Sequence, residues 1–426
     1  MKNLKMHTPT GLTDQLPEVY QLKRNVERQI EATFEGYGYA FVSSPALEYL
    51  AVFEGKGSIP VTEMYKLADK TGDVLALRPD MTPAIARMTA THRLFENRDH
   101  PIRLCYIEKA FRNHERFRGR ENEFTQAGAE LIGVSSPMAD AEVIALAIKS
   151  LLAVGLTDFR VDIGHVGFLS GILEELRKIL SEEDCEDFIK HVITRNYVDA
   201  EVIAAKVKNA IPAGALLSNL PQLTGSLEVL ANAYSMTTND KAQTALRHLE
   251  AVYDILNDQG LADYVLFDLS MVGQLDYYTG LIFKGYAKGT GSTVVDGGRY
   301  DNLLPTFSKK NEDSNDIPAV GFGIKIDGLL DVLSNAPFSN EFADTLVAYA
   351  EDARSAALIN ADILRQQGLY LINHLQSESL EATKNYASNN NFKGIIYFVS
   401  PNNVVLINLE TGLEHEVSVE ELKCMM

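Results

Sequence analysis

The sequence predicts an α+β fold: an antiparallel sheet flanked by helices, with a helical insertion and a small C-terminal α/β domain. Three stretches carry that expectation. Residues 101–133 read as two long antiparallel strands joined by a polar loop. Residues 167–262 are helical in pattern almost throughout and lack strand signals. Beyond residue 344, strand-like and helix-like runs alternate at the spacing of a compact α/β unit.

The segment TPTGLTDQLP (8–17) is an irregular entry. It leads into a helix-spaced run from Leu16 to Phe34, ended by Gly36 and Gly38. Tyr39–Pro45 reads as a strand stopped by proline. After a loop at 54–62, Tyr65–Leu67 and Val74–Leu77 flank the polar turn Asp69–Asp73 as a hairpin. RPDMTPAIARMTATH (78–92) opens as a turn and becomes a helix, with Thr82 as N-cap and Pro83 at the first helical position.

The central strands follow at Ile102–Phe111 and Glu123–Ile132. Strand side chains alternate, so Thr125, Ala127, Ala129 and Leu131 share a face suited to a core. Phe124, Gln126, Gly128 and Glu130 share the other. A carboxylate and an amide flanking a bare backbone position can floor a pocket for an ammonium-bearing small molecule. The same pattern also describes a strand with one wet face.

Pro137–Val154 is an apolar-periodic helix and Phe159–Ile163 a strand. The helical subdomain, about 167–262, interrupts the sheet, which resumes at Tyr264–Leu269. Residues 275–304 read as strands around a glycine-rich turn, and 318–333 as a strand running into a helix. A linker at 334–341 divides a core of residues 1–333 from a C-terminal domain, 334–426. That domain reads as strands at 345–349, 370–373, 394–399 and 404–409, with helices at 353–367 and 380–389.

Charge and cysteine usage narrow the function. A net charge of −19 disfavours nonspecific attraction to nucleic acid or anionic membrane. Cys105, Cys185 and Cys424 lie far apart, giving neither a metal spacing nor a disulfide framework, which fits a reducing cytoplasm. The N-terminal residues lack the apolar core of a signal peptide, and no apolar run is long enough to span a membrane. GKGS (55–58) lacks the upstream glycine of a phosphate-binding loop. GTGSTVVDGG (289–298) does not sit between a strand and a helix start, and His114-Glu115 has no second histidine at metalloprotease spacing. No cofactor and no metal are therefore expected.

Chemistry-bearing residues cluster instead in four blocks. Asp80 and Thr82 lie in a turn, and Gln126 and Glu130 share a strand face. Asp276-Tyr277-Tyr278-Thr279-Gly280 pairs a carboxylate with two phenols, and Gly297-Gly298-Arg299-Tyr300-Asp301 follows. Taken singly, each is as well explained as ordinary sheet or turn structure.

Six ordered blocks together resemble the class II aminoacyl-tRNA synthetases, and within them the histidyl-tRNA synthetase branch. YGYAFVSSPALE (37–48) is similar to motif 1, with Pro45 at its proline. EMYKLADKTGDVLALRPDMTPAIAR (63–87) resembles that branch's EMY…LRPEGT…R segment, and FRNHERFRGRENEFTQAGAELIG (111–133) resembles motif 2. LDYYTG and GGRYD match its two histidine-specific motifs, and PAVGFGIKIDGLL (318–330) stands where motif 3 should be. The resemblance implies a class II synthetase-like sheet and homodimerisation through the motif 1-like region. It also implies a histidine site drawn from Asp80, Thr82, Arg112, Gln126, Glu130, Tyr277 and Tyr278.

The departures fall on the adenylation cations. Arg112 is kept, but Gly273 and Gly328 stand where the family carries arginines. His114 replaces a motif 2 glutamate and Asn122 its second loop arginine, while Asp80 replaces a glutamate. Removing one charge-stabilising donor typically costs about 10²–10³ in rate, so losing two should abolish useful adenylation. Lys325 is displaced by three positions and lacks the arginine fork. The C-terminal domain resembles an anticodon-binding domain in its alternation. From residue 338 onward it carries 5 Lys+Arg against 12 Asp+Glu, a net of −7, so tRNA binding there is not expected. Arg112, Arg116, Arg118 and Arg120 form one basic loop, readable as a solvated tip or as an anion-binding element.

A synthetase fold without these arginines resembles the ATP phosphoribosyltransferase regulatory subunits, whose wording RPDMT and EFTQAG also match. That resemblance implies a non-catalytic chain. It would assemble with a short-form catalytic subunit as a hetero-oligomer, a hetero-octamer in form, acting at the first step of histidine biosynthesis. It would confer activity and pass on feedback inhibition by histidine. A divergent active histidyl-tRNA synthetase and a free-standing histidine sensor or RNA-binding paralogue remain the alternatives.

Overall fold

The computed structural model describes every residue except 1–3, 56–58, 95–99, 115–120, 209–211, 272–277, 308–316, 334–343, 377–378 and 425–426. The chain divides into two compact units, Met1–Pro337 and Phe338–Met426. The linker expected at 334–341 lies outside the described residues.

In the first unit, α1 (Pro17–Gly36) buries Val26, Ile30 and Phe34, four residues apart along one stripe. The helix ends where Gly38 takes a φ of 77°, a left-handed turn that glycine enters without strain. The strand expected at Tyr39–Pro45 shrinks to β1 (Ala40–Phe41). Its two residues pair in parallel with the first central strand, and the last backbone bond across is from the Val42 N–H to the Cys105 carbonyl at 2.9 Å, three residues before Pro45. A short strand not expected from the sequence, β2 (Leu47–Tyr49), joins β3 (Lys66–Ala68) and β4 (Val74–Leu77) in a three-stranded sheet, order β2-β4-β3. Leu47, Tyr49 and Leu67 are exposed on one face of it.

The helix α2 (Thr82–Thr91) corrects the expected cap. Met81 occupies the N-cap position and no side chain caps the helix. Thr82 is already helical, and its hydroxyl is used elsewhere.

The long hairpin is present as β5 (Ile102–Phe111) and β6 (Glu123–Ile132), in register from Ile102↔Ile132 to Phe111↔Glu123. Next come α3 (Pro137–Ala153), capped by the Ser136 hydroxyl, and β7 (Phe159–His165). The insertion supplies α4 (Val166–Leu176), α5 (Glu182–Ile193), α6 (Tyr197–Ala205), α7 (Pro212–Asn219), the two-residue strand β8 (Thr224–Gly225), α8 (Glu228–Met236) and α9 (Asp240–Asp258). The strand β8 corrects the all-helical reading. The unit closes with β9 (Val265–Asp268), β10 (Leu281–Ala287), β11 (Val295–Arg299), β12 (Ala319–Lys325) and α10 (Ile326–Leu333).

Among the described residues, nine strands form one sheet in the order β1-β5-β6-β12-β11-β10-β7-β9-β8. Neighbours from β5 to β7 are all antiparallel. One face is apolar. Ala127, Ala129 and Leu131 lie in the same core cluster as Phe322, Phe283, Ile163 and the buried stripes of α1 and α3. The other face carries the polar set described below, because strand register puts the two sets on opposite sides.

The second unit contains β13 (Thr345–Tyr349), α11 (Arg354–Gln366), β14 (Leu371–Asn373), α12 (Leu380–Asn389), β15 (Gly394–Phe398), β16 (Asn403–Asn408), β17 (Glu414–Ser418) and α13 (Val419–Cys424). Its five strands run in the order β14-β13-β15-β16-β17. The final strand and helix were not expected. Their sequence alternates charge with short apolar residues and buries little more than Leu422.

Candidate ligand site on the polar sheet face

The site is built on glycine. In the paired register, Glu130 faces Gly321 and Gly128 faces Gly323 across β6 and β12. The Glu130 carboxylate lies flat over Gly321, and the Gln126 amide lies over Gly323. A β-carbon at either position would overlap those side-chain atoms. The Tyr106 hydroxyl covers Gly128 in the same way, and the Tyr278 ring lies over Gly298, 2.7 Å from where a β-carbon would stand. Bare backbone thus lets four polar side chains lie along the sheet.

Glu130 is the centre, with no exposed surface. Thr82 Oγ1 donates to its Oε1 at 2.8 Å, and the Tyr300 hydroxyl donates to Oε2. This is where the Thr82 hydroxyl goes in place of a helix cap. Burial pushes the Glu130 carboxyl up to about 8, and the nearby Asp80 charge adds to the rise. The hydrogen bonds from Tyr300 and Thr82 oppose it. The Tyr106 and Tyr300 phenols are also held well above their usual range, first by burial and then by the Glu130 charge.

Asp80 lies beside this pair. Its Oδ1 accepts from the Met81 backbone N–H at 2.8 Å and from Gln126 Nε2 at 3.2 Å. The turn that presents Asp80 and Thr82 is fixed by Arg78, which is buried. Arg78 donates to the Lys109 carbonyl at 2.8 Å and pairs with Glu108 at 2.7 Å. The turn is therefore tied to β5.

Arg112 stands at the edge. Its guanidinium carbon lies 5.5 Å from the Phe124 ring centre, and its Nε donates to the Pro79 carbonyl at 3.0 Å. The structure thus brings Asp80, Thr82, Gln126, Glu130 and Tyr278 onto one face, with Arg112 at their margin. Tyr277, Asp276 and Gly273 lie outside the described residues, as do Arg116, Arg118 and Arg120.

Two participants were missed from the sequence. Tyr106 is directly opposite Gly128 on β5, so a bulky side chain facing a glycine was the available signal. Tyr300 sits inside the quoted GGRYD block. Arg299 of the same block points the other way, to buried Asp140 on α3. It also reaches Asp301 at 3.1 Å and the Val134 carbonyl at 3.2 Å. His248 of α9 approaches the same Asp140 at 2.6 Å. Nearby, His165 caps α4 through its Nδ1 and is depressed to about 4 by burial and by the neighbouring His248. The Thr279 N–H donates to the Arg299 carbonyl at 2.8 Å, so this buried ion cluster sets the backbone on which Tyr278 and Tyr300 stand.

Three further positions singled out in the sequence, Asn122, Lys325 and Gly328, lie among the described residues. Asn122 is buried and structural. Its amide donates to the Thr10 carbonyl at 3.1 Å and to the Tyr65 hydroxyl at 2.8 Å, and its carbonyl accepts from the His114 N–H at 3.2 Å. Lys325 is paired with Asp296 at 2.8 Å and with Thr293 at 3.0 Å. Gly328, in the first turns of α10, has nothing within 4 Å of where a β-carbon would stand.

An antiparallel sheet flanked by helices in this order is the class II aminoacyl-tRNA synthetase-like fold. A family model described as histidyl-tRNA synthetase matches residues 11–329. A crystal structure described as an ATP phosphoribosyltransferase regulatory subunit/histidyl-tRNA synthetase from Bacillus halodurans superposes with a TM-score of 0.80 at 32% identity. That match covers 94% of this chain and 100% of that one. Histidyl-tRNA synthetase from Nostoc sp. PCC 7120 shares the fold, with a TM-score of 0.79 at 22% identity, covering 99% of each chain. The ATP phosphoribosyltransferase regulatory subunit of Acetivibrio thermocellus is 36% identical over 425 residues, 99% of both chains. That of Bacillus licheniformis is 37% identical over 361 residues, 84% of this chain and 89% of its own. The chain belongs to the ATP phosphoribosyltransferase regulatory subunit family.

Proposed function

We propose that the chain is a non-catalytic subunit that binds histidine and controls a short-form ATP phosphoribosyltransferase catalytic subunit. The reaction joins ATP to phosphoribosyl pyrophosphate, the first step of histidine biosynthesis, in the cytoplasm. The observation that carries this reading is the buried Glu130, held by Thr82 and Tyr300 beside Asp80. Asp80 and Glu130 have no cation in hydrogen-bond contact among the described residues, and burial leaves Glu130 holding a proton instead, so a ligand supplying an ammonium group would displace that proton and complete the site. Tyr278, Tyr277 and Gln126 would orient the rest of the ligand, and Arg112 would meet its carboxylate.

We read adenylation as absent, and the same geometry supports that reading. Lys325 is neutralised by Asp296, Asn122 is used in chain contacts, and position 328 carries no side chain. We read the C-terminal unit as an anticodon-binding-like domain without a tRNA role, given its net charge of −7. The exposed apolar face of Leu47, Tyr49 and Leu67 supports a homodimer through the motif 1-like region. Sedimentation of the purified chain as a monomer would refute that part. Among the described residues, no helix is long and apolar enough to cross a membrane.

The test is to mix the chain with a short-form transferase and assay phosphoribosyl-ATP formation with and without histidine. Product should require both chains and fall as histidine is added. Equal activity of the transferase alone would sink the proposal.

The retained Arg112 over Phe124 favours a second reading, a weakly active synthetase. Restoring one cation separates the two. Gly328→Arg has open space and replaces a poor helix former, so stability should hold or rise by about 0.5–1 kcal/mol. Pyrophosphate exchange with ATP and histidine should stay at background in this variant. Robust exchange would favour the synthetase.

A further inference from the structure

The buried stripe of α1 runs past the end of the core it covers. Val26, Ile30 and Phe34 are buried, but about two turns earlier Val19 continues the stripe at 47% exposure, with Tyr20 beside it at 52% and the N-cap Leu16 at 65%. Beside them lies a groove of about 120 Å³, with Val19 on its wall. Its charged lining is Lys23, Lys109, Glu121, Glu123, Asp327 and Asp331.

Both lysines are already committed. Lys23 pairs with Asp327 at 2.9 Å, with 6% and 9% of the two side chains exposed, and Lys109 pairs with Glu123. Asp327 also accepts from Gln15 Nε2 at 3.0 Å and from the Thr125 N–H. Glu121 has no ion pair among the described residues. Burial raises its carboxyl, and the charges of Asp327 and Asp331 raise it further. The groove is therefore negative at its mouth and rimmed by an uncovered apolar helix turn.

We propose that this groove docks a protein partner that inserts a lysine or arginine side chain beside Glu121 while an adjacent apolar side chain covers Val19 and Tyr20. Charge selects this occupant. Nucleic acid and anionic membrane are repelled by an acidic groove, and a second copy of a chain carrying −19 is opposed at the same place. The apolar rim supplies the desolvated contact that a basic anchor needs in order to hold. The partner is taken to be the transferase catalytic subunit, which rests on the function proposed above.

The experiment uses full-length chain and catalytic subunit, with binding measured by calorimetry at 0.15 M and 0.5 M salt. Wild-type binding should weaken with salt, and Val19→Lys/Glu121→Lys should weaken it about tenfold or more. Melting temperature, homodimer mass and histidine titration of the double variant should match wild type. Wild-type affinity in the double variant overturns the docking site alone, as does salt-independent binding by wild type. Loss of the homodimer in the double variant assigns the surface to a second copy and also overturns it. Failure of wild type to bind or activate the catalytic subunit removes the functional reading, and the proposed partner with it.

Discussion

Glu130→Gln is expected to weaken histidine binding by about a hundredfold or more and to remove its pH dependence. A glutamine keeps the shape and can still accept from Thr82 or Tyr300. It cannot balance an ammonium group in a site from which water is excluded. Breaking such a desolvated charge contact typically costs about 2–5 kcal/mol. The wild-type pH dependence follows from the buried carboxyl, which titrates at about 8. Asp80, Tyr106, Tyr278 and Tyr300 surround it, and none brings a positive charge. Below that pH the site holds a proton that an ammonium ligand must displace. Affinity should therefore rise by about tenfold per unit as pH climbs toward 8, then level off. The sign for the unliganded protein is the reverse. Folded Glu130 keeps its proton to about 8, whereas an unfolded glutamate loses it near 4.5, so this group's contribution to stability falls across that window. Calorimetric titrations of wild type and variant at several pH values would check this. A Glu130→Gln protein that binds histidine as wild type does would exclude this pocket as the effector site.

Arg299→Met should destabilise the first unit by about 3–5 kcal/mol, because it leaves Asp140 charged and fully buried with His248 as its remaining side-chain partner. Arg299→Lys should recover little, since one ammonium cannot reproduce contacts to Asp140, Asp301 and the Val134 carbonyl together. Urea unfolding with the slope held free is the measurement. A loss below about 1 kcal/mol would mean that water or a shifted His248 takes over the arginine's role. Histidine affinity should drop as well, because the Arg299 backbone carries Thr279 and sets Tyr300 against Glu130.

Much of this was readable from residue order alone. The alternation Phe124, Gln126, Gly128, Glu130 correctly divided the polar face from the core face, because a strand has only two sides. The turn at Asp80 and Thr82 was found, but the role of Thr82 was not. A hydroxyl before a proline reads as a cap, and only the approach of β6 from 48 positions away offers it a stronger acceptor. Tyr106 and Tyr300 escaped notice for the same reason. Each is defined by what stands across the sheet, and cross-strand register is not written locally. The division of GGRYD into an arginine facing the core and a tyrosine facing the pocket likewise required the register of β11 against β12. The short strands β2 and β8 are two or three residues long, too short for any period to show.

The buried Asn122 has a practical consequence for the N-terminal residues. Its backbone N–H donates to the Gly11 carbonyl at 2.7 Å, and its side chain leaves no room for a β-carbon at residue 11. The opening residues thus act as a buckle on the stem of the arginine-bearing loop. Trimming the protein to start at Leu12, or crowding that end with a bulky affinity tag, would strand an interior amide and slacken the stem next to Arg112. Ligand measurements on shortened versions would then report a loosened pocket rather than the native one.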